Sequence, residues 1–251
     1  MKLNALTEGS GPHLIAMHGL FGMLDNWKSL GRKFAEHYTV HLLDLRNHGH
    51  SPHSEDWNYT VMADDVLEYM DDQGIAKATV LGHSMGGKVA MCLAGRFPER
   101  VERLIVVDIS PRYYPIHHQR FLDAMNALPL DRIGSRSEAE EHLERSIPEF
   151  GIRQFLLKNL YWKEKDRLEW RFNLPVITAK IEQVGEALTE EAVYEGPALF
   201  IAGGNSDYIG AGDLSLIHEH FPNAQVEIID GAGHWVHAEK PKELFDLVVE
   251  A

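Results

Sequence analysis

The 251-residue chain has one cysteine, no long apolar run and fewer positive than negative charges, with 24 Lys+Arg against 38 Asp+Glu. Because Cys92 is alone, no disulfide can form within the chain, which favours a reducing cytoplasm. No apolar stretch approaches the roughly 20 residues of a membrane span, and MKLNALTEGSG at the start lacks the apolar core of a signal peptide. The net charge of −14 argues against nucleic acid or an anionic membrane as a partner.

Short apolar runs recur along the chain and are typical of strands in a parallel sheet that is covered on both faces. They lie at residues 13–18, 39–43, 78–83, 104–108, 198–202 and 225–229. Helical patterns alternate with them, at residues 26–36, 60–73, 85–97, 213–220 and 241–250. This alternation predicts a doubly wound α/β sheet.

One long interval, between Asp108 and Pro197, breaks the alternation because it contains no clear strand. Its amphipathic patterns predict helices at residues 117–127, 137–146, 150–160 and 176–184. A connection this long after one strand indicates a cap rather than a loop. We therefore expect an α/β core of residues 1–110 and 196–251, with a helical cap of residues 111–195 inserted in it.

The most informative motif is Gly82-His83-Ser84-Met85-Gly86, which follows an apolar run and precedes a helical one. In this strand–turn–helix context Gly-x-Ser-x-Gly is typical of a nucleophile elbow, whereas alone it could be any glycine-rich turn. The turn is so tight that side chains at 82 and 86 would collide with neighbouring elements. Ser84 is thus the predicted nucleophile, at the N-terminus of a helix whose amides favour negative charge.

A serine nucleophile needs a histidine base, and the chain contains 15 histidines. His234 is the predicted base because it follows an apolar strand within Gly231-Ala232-Gly233-His234, close to the C-terminus, as in the α/β-hydrolase order. His237 is the rival three residues on. The remaining candidates have simpler interpretations. His48, His50 and His53 fit no common zinc spacing, so we expect them in a solvated loop. We expect His117 and His118 at the surface, at the start of a cap helix.

Backbone amides are needed to stabilise the oxyanion of an acyl-transfer reaction. The segment His18-Gly19-Leu20-Phe21-Gly22 follows an apolar strand and can offer the amide of Leu20. Met85, the residue after the predicted nucleophile, can offer a second one. These two amides are the predicted oxyanion hole, although the glycine turn by itself has a plain structural interpretation.

Together these segments resemble the α/β-hydrolase superfamily and, within it, the small bacterial YbfF-type esterases. The matching motifs are HGLFG at 18–22, DLRNHGHS at 44–51, GHSMGGK at 82–88, DISP at 108–111, RFNLP at 171–175, GGNS at 203–206 and GAGHWVHAEKP at 231–241. The resemblance implies hydrolysis of carboxylic esters and acyl thioesters such as acyl-CoA, with no cofactor. It also implies that Asp44, Arg46 and Asn47 form a structural turn beside the site.

Two aspartates are candidates for the acid that orients the base. Most of the superfamily places this acid after the strand that here ends at Ala202, where the chain reads Gly203-Gly204-Asn205-Ser206-Asp207. Asp207 is therefore one candidate. The resemblance to the small esterases implies a serine in that register and the acid at Asp108, whose alternative interpretation is a salt bridge to a cap arginine.

The cap is expected to line an apolar acyl pocket. The predicted pocket residues are Phe21, Phe121, Met125, Leu156, Leu160, Phe172, Ile177 and Trp235, of which we expect some to belong to the cap core instead. The predicted function is hydrolysis of a small-molecule ester or thioester through an acyl-enzyme, without a metal. A C–C bond hydrolase or lyase, a cofactor-free perhydrolase and a slow-turnover ligand receptor are the alternatives, since a fold does not fix one function. The sequence leaves the oligomeric state open.

Overall fold

The computed structural model describes residues 1–165 and 167–250. Its strands are β1 Ala5–Gly9, β2 His13–Met17, β3 Thr39–Leu43, β4 Ala78–His83, β5 Val101–Val107, β6 Leu160–Glu164, β7 Arg167–Trp170, β8 Ala198–Gly203 and β9 Ala224–Ile229. Its α-helices are α1 Lys28–Phe34, α2 Tyr59–Asp72, α3 Met85–Arg96, α4 Gln119–Asn126, α5 Arg136–Glu144, α6 Phe150–Leu157, α7 Leu174–Ala179, α8 Glu182–Gly185, α9 Leu214–His220, α10 Val236–Glu239 and α11 Pro241–Glu250. Among these residues no helix is long and apolar enough to cross a membrane.

Seven strands of the described residues form one sheet in the order β1-β3-β2-β4-β5-β8-β9. The edge strand β1 pairs antiparallel with β3, and the other neighbours pair in parallel. The register sets Met17 opposite Gly82 and His83 opposite Val107, so the carboxyl ends of the central strands meet at one edge. This mostly parallel, doubly wound sheet confirms the predicted fold class.

Two apolar cores cover the two faces of the sheet, because successive side chains of a strand point to opposite sides. In β2, Ile15 and Met17 contribute to one core, whereas Leu14 and Ala16 contribute to the other. The helix α3 is buried on all sides between the sheet, α2 and the segment after β5. The buried position of α3 fixes the turn that precedes it.

The segment between β5 and β8 contains α4 to α8 and a two-stranded hairpin of β6 and β7. The sequence analysis predicted no strand here and missed the hairpin, which is short and interrupted by charged residues. The strand β1 was not predicted either, because Ala5-Leu6-Thr7-Glu8 is neither continuously apolar nor alternating, and the strand is only partly buried at the sheet edge. The prediction that every strand is covered on both faces is wrong for β9, since Ile228 on this edge strand is 65% exposed.

Candidate active site

The turn between β4 and α3 holds Ser84 in a sparsely populated conformation, with φ 52° and ψ −120°. A Cβ on Gly82 would overlap the backbone of Gly86, and a Cβ on Gly86 would lie 2.6 Å from the carbonyl oxygen of His18. Glycine is therefore required at both positions, as the sequence predicted. The strained turn places the Ser84 side chain at the amino end of the 12-residue helix α3.

A continuous chain of hydrogen bonds joins Ser84, His234 and Asp108. The Ser84 hydroxyl lies 3.1 Å from Nε2 of His234, and Nδ1 of His234 lies 2.7 Å from Oδ2 of Asp108. Since a carboxylate only accepts hydrogen bonds, Nδ1–H donates to Asp108 and Nε2 accepts from the hydroxyl. The structure thus brings together the predicted nucleophile, the predicted base and one of the two candidate acids.

Asp108 is fully buried and has three donors around its carboxylate. Besides His234, the amide of Gly203 donates to Oδ1 at 2.9 Å and the hydroxyl of Ser206 donates to Oδ2 at 2.5 Å. The alternative acid, Asp207, is exposed, and its carboxylate makes no hydrogen bond to the described residues. The cap arginine Arg112 pairs with Asp213 at 2.9 Å, so it is not the partner of Asp108.

Two neighbours place the loop that carries His234. A Cβ on Gly203 would overlap the carbonyl oxygen of Gly233, so glycine lets the two loops touch. Nε2–H of His83 donates to the carbonyl oxygen of His234 at 2.8 Å. Burial lowers the pKa of His83 well below its usual range, and His237 and His234 nearby add to the effect. His83 therefore holds the loop as a neutral imidazole.

Leu20 and Met85 line a small compartment together with Ser84. Neither amide donates a hydrogen bond to a protein acceptor among the described residues. The next amide in the loop, that of Phe21, is engaged by Nε2 of His48 at 3.3 Å. The amides of Leu20 and Met85 therefore keep their hydrogen-bond capacity, and their role as an oxyanion hole stays a prediction.

His48 is fully buried, so the prediction of a solvated loop is wrong for this residue. Its Nδ1–H donates to the carbonyl oxygen of Arg46 at 3.0 Å, which leaves Nε2 to accept from Phe21. His18 is arranged in the same way between the carbonyl of Gly19 and the amide of Leu45. Burial lowers the pKa of His18 to about 4 and that of His48 to about 3. Both rings thus hold the loop of residues 18–22 in place through hydrogen bonds to its backbone.

Asp44, Arg46 and Asn47 form the turn behind this loop. The Asp44 carboxylate accepts from the amides of Leu24 and His50, at 2.7 and 2.8 Å. Arg46 makes two hydrogen bonds to the buried carboxylate of Asp65. These contacts are structural, as the resemblance implied, and the described residues contain no cluster of His, Cys, Asp and Glu suited to a metal ion.

A cavity of about 230 Å³ opens from Ser84 and is lined mainly by aromatic and aliphatic side chains. Four predicted pocket residues line it: Phe21, Phe121, Leu156 and Trp235. The other four, Met125, Leu160, Phe172 and Ile177, do not line it and are at most 1% exposed. They belong to the large apolar cluster on this side of the sheet. Hydrophobicity alone cannot distinguish such core residues from a pocket wall.

Several residues that line the cavity were not predicted from the sequence. Ile152 and Phe155 line the cavity with Leu156, and their i, i+3, i+4 spacing on α6 was a usable signal. His117 and His118 precede α4 and also line the cavity. His117 is exposed, as predicted, whereas His118 is partly buried, so the surface prediction is wrong for His118. Tyr208, in the loop after β8, lies against His234 and had no signal in the sequence.

The fold and the site define an α/β protein with a serine, a histidine and an aspartate in one hydrogen-bonded row. The family model for the alpha/beta hydrolase fold matches residues 12–241. A putative esterase/lipase of Haemophilus influenzae is 42% identical over 242 residues, covering 96% of this chain and 81% of that protein. Esterase YbfF of Escherichia coli is 38% identical over 247 residues, covering 96% and 95%.

A solved structure described as a marine microorganism esterase matches with a TM-score of 0.97 and 38% identity, over 99% of this chain and 98% of the other. The chain therefore belongs to the α/β hydrolase family. It is an enzyme of the esterase and lipase type, and its substrate is a small molecule.

Proposed function

We propose that the protein hydrolyses carboxylic esters, and acyl thioesters such as acyl-CoA, through an acyl-enzyme on Ser84. The observation that carries the proposal is the unbroken hydrogen-bonded row of Ser84, His234 and Asp108 at the end of an apolar cavity. Such a row is what a serine needs in order to act as a nucleophile. A cytoplasmic location without nucleic-acid or membrane partners remains our expectation from composition.

In the proposed reaction, Ser84 attacks the acyl carbon while His234 accepts its proton at Nε2. Asp108 holds the imidazolium through Nδ1, and the amides of Leu20 and Met85 bind the oxyanion. The proton then passes to the departing alcohol or thiol as its bond to the acyl carbon breaks. Water, deprotonated by His234, releases the acid and restores the enzyme.

We further propose that residues 111–195 act as a cap which supplies most of the acyl-binding wall. Phe121 comes from α4 and Phe155 and Leu156 come from α6, all in this segment, and they line the cavity with Phe21 and Trp235 of the core. Such a wall favours an apolar acyl or alkyl group by the free energy of burying its surface, about 25 cal/mol per Å².

The decisive experiment combines active-site labelling with one variant of Ser84 and a matched pair of aspartate variants. A fluorophosphonate should label Ser84, and Ser84→Ala should fold yet lose nearly all hydrolysis of p-nitrophenyl esters. Asp108→Asn should lower turnover by up to about 10⁴-fold, whereas Asp207→Asn serves as the matched control and should cost little. Labelling of another serine, or the reverse ranking of the two aspartates, would contradict the assignment.

A panel of p-nitrophenyl esters and acyl-CoAs of graded chain length then defines the substrate class. Burst release of alcohol or thiol is expected from an esterase. C–C cleavage without ester turnover would indicate the hydrolase or lyase alternative, and peroxide-dependent halogenation would indicate a perhydrolase. Turnover far below about 1 per second on every substrate would indicate a receptor.

A further inference from the structure

The ring of Tyr208 lies flat against the imidazole of His234. The two ring centroids are 4.0 Å apart and the ring planes differ by 18°. The other aromatic neighbours of His234 in the described residues are tilted and more distant, with His83 at 4.7 Å and Trp235 at 6.2 Å. Tyr208 is therefore the side chain that covers one face of the proposed base.

The hydroxyl of Tyr208 ties this ring to the cap. It lies 2.8 Å from Nε2 of His117, whose Nδ1 is 3.3 Å from the carbonyl oxygen of Pro115. Nδ1–H donates to that carbonyl, so Nε2 accepts from the phenol. Burial raises the pKa of Tyr208, and the charge of Asp108 adds to this, so the phenol keeps its proton and remains a donor.

The backbone of Tyr208 is fixed from the side of the acid. Its amide donates to the hydroxyl of Ser206 at 3.3 Å, and that hydroxyl donates to Asp108. Its carbonyl oxygen accepts from the hydroxyl of Tyr114, a residue of the cap. The stacked ring is thus held between the aspartate and the cap, with the imidazole of His234 as its packing surface.

We propose that Tyr208 is a positioning residue that acts through His234 and couples it to the cap; this rests on the proposed function. When Ser84 passes its proton to Nε2, the imidazole becomes a cation, and the electron-rich face of the phenol stabilises it more than the neutral ring. The stack also opposes rotation of the imidazole away from Asp108. The hydrogen bond to His117 holds the phenol ring of Tyr208 from the side of the cap.

The experiment compares Tyr208→Leu, which removes the ring, with Tyr208→Phe, which keeps it. Because the stacked ring stabilises the imidazolium more than the neutral imidazole, its loss should move the acidic limb of kcat/KM to lower pH by about half a unit or more. Turnover on the plateau should fall about 5- to 30-fold. Tyr208→Phe should keep the position of the limb, and Tyr113→Leu, at an exposed cap tyrosine, should change neither quantity.

The link to the cap has its own test, which does not depend on folding of the leucine variant. Tyr208→Phe and His117→Leu each remove the same hydrogen bond, so the double variant should be no worse in kcat/KM than either single variant. Additive losses would overturn the link to the cap. An acidic limb and a plateau unchanged in Tyr208→Leu would overturn the stacking role. Ser84 is unchanged in all of these variants, so each preparation can be tested for fluorophosphonate labelling of Ser84. If Ser84 is labelled, a negative result contradicts the role of Tyr208; if it is not labelled even in the wild type, the proposed function itself fails.

Discussion

Lowering the pH is expected to destabilise the fold because several histidines are held neutral in the interior. Burial lowers the pKa of His18 and His237 to about 4 and that of His48 to about 3. In the unfolded chain a histidine titrates near 6.5. Between pH 6.5 and about 4 the unfolded chain therefore binds protons that the folded chain does not, and the free energy of unfolding falls as the pH falls through this window.

The size of the effect follows from the unfolded-state pKa. At pH 5.5 each such histidine is about 90% protonated when unfolded, which favours unfolding by about 1.4 kcal/mol. Relative to pH 7.5 the three residues give about 4 kcal/mol, a large part of the 5–15 kcal/mol typical of a domain. The folded-state pKa values hardly affect this free-energy difference, since they lie more than one pH unit below 5.5 and the folded histidines stay neutral there. His83 adds in the same direction.

Urea unfolding at pH 7.5 and 5.5, followed by tryptophan fluorescence, measures this loss. Carboxylates with ordinary pKa values are still ionised at pH 5.5, so they contribute little to the difference. His237→Gln should remove about 1.4 kcal/mol of the pH dependence, whereas His218→Gln, at an exposed position, should leave it unchanged. Equal stability of the wild type at both pH values, or an equal effect of the two glutamine variants, would refute the reasoning.

Three further predictions concern the pocket, the cap and the loop of the base. Leu156→Ala enlarges the cavity and should shift ester preference toward longer acyl chains, whereas Met125→Ala, in the cap core, should lower stability by about 2–5 kcal/mol without that shift in the chain-length profile. Lys88→Met should lower the free energy of unfolding by about 3 kcal/mol in urea titrations. The buried amino group of Lys88 hydrogen-bonds to three backbone carbonyls that join both ends of the cap to α3, and these carbonyls would lose their partner. Gly203→Ala should reduce kcat by pushing the His234 loop away, whereas Gly212→Ala, in open space, should leave the rate unchanged; equal rates in the two alanine variants would exclude the close approach as a requirement.

Much of the core could be predicted because its sequence signals are local and agree with one another. The elbow needs glycine at 82 and 86 for steric reasons, so its motif and its geometry carry the same information. The central strands are buried on both faces and have continuous apolar runs. These features placed Ser84 and His234 at the same sheet edge before any contact was known.

What could not be predicted depends on distant contacts. His48 sits in a polar sequence, yet it is buried because its two nitrogens have backbone partners in two different loops. Tyr208 lies in a loop with no periodic pattern, and its ring meets His234 only because β8 pairs with β9, which brings the loops after the two strands together. Phe121 and Met125 lie one turn apart on the same face of α4, yet Phe121 lines the cavity whereas Met125 is 1% exposed and does not line it.

The position of Asp108, the proposed acid, follows from the pairing of β5 with β8, because the carboxyl ends of these two strands are neighbours. Val107 pairs with Ile201 in register, so Asp108 and the loop after β8 leave the sheet side by side, and either could supply a carboxylate to His234. In this chain the loop after β8 contributes Ser206, whose hydroxyl donates to the carboxylate of Asp108. A second carboxylate at that distance would repel the first, whereas a hydroxyl stabilises its charged form. Ser206 and Asp108 therefore depend on each other: the hydroxyl stabilises the buried carboxylate, and the carboxylate accepts the proton of the hydroxyl.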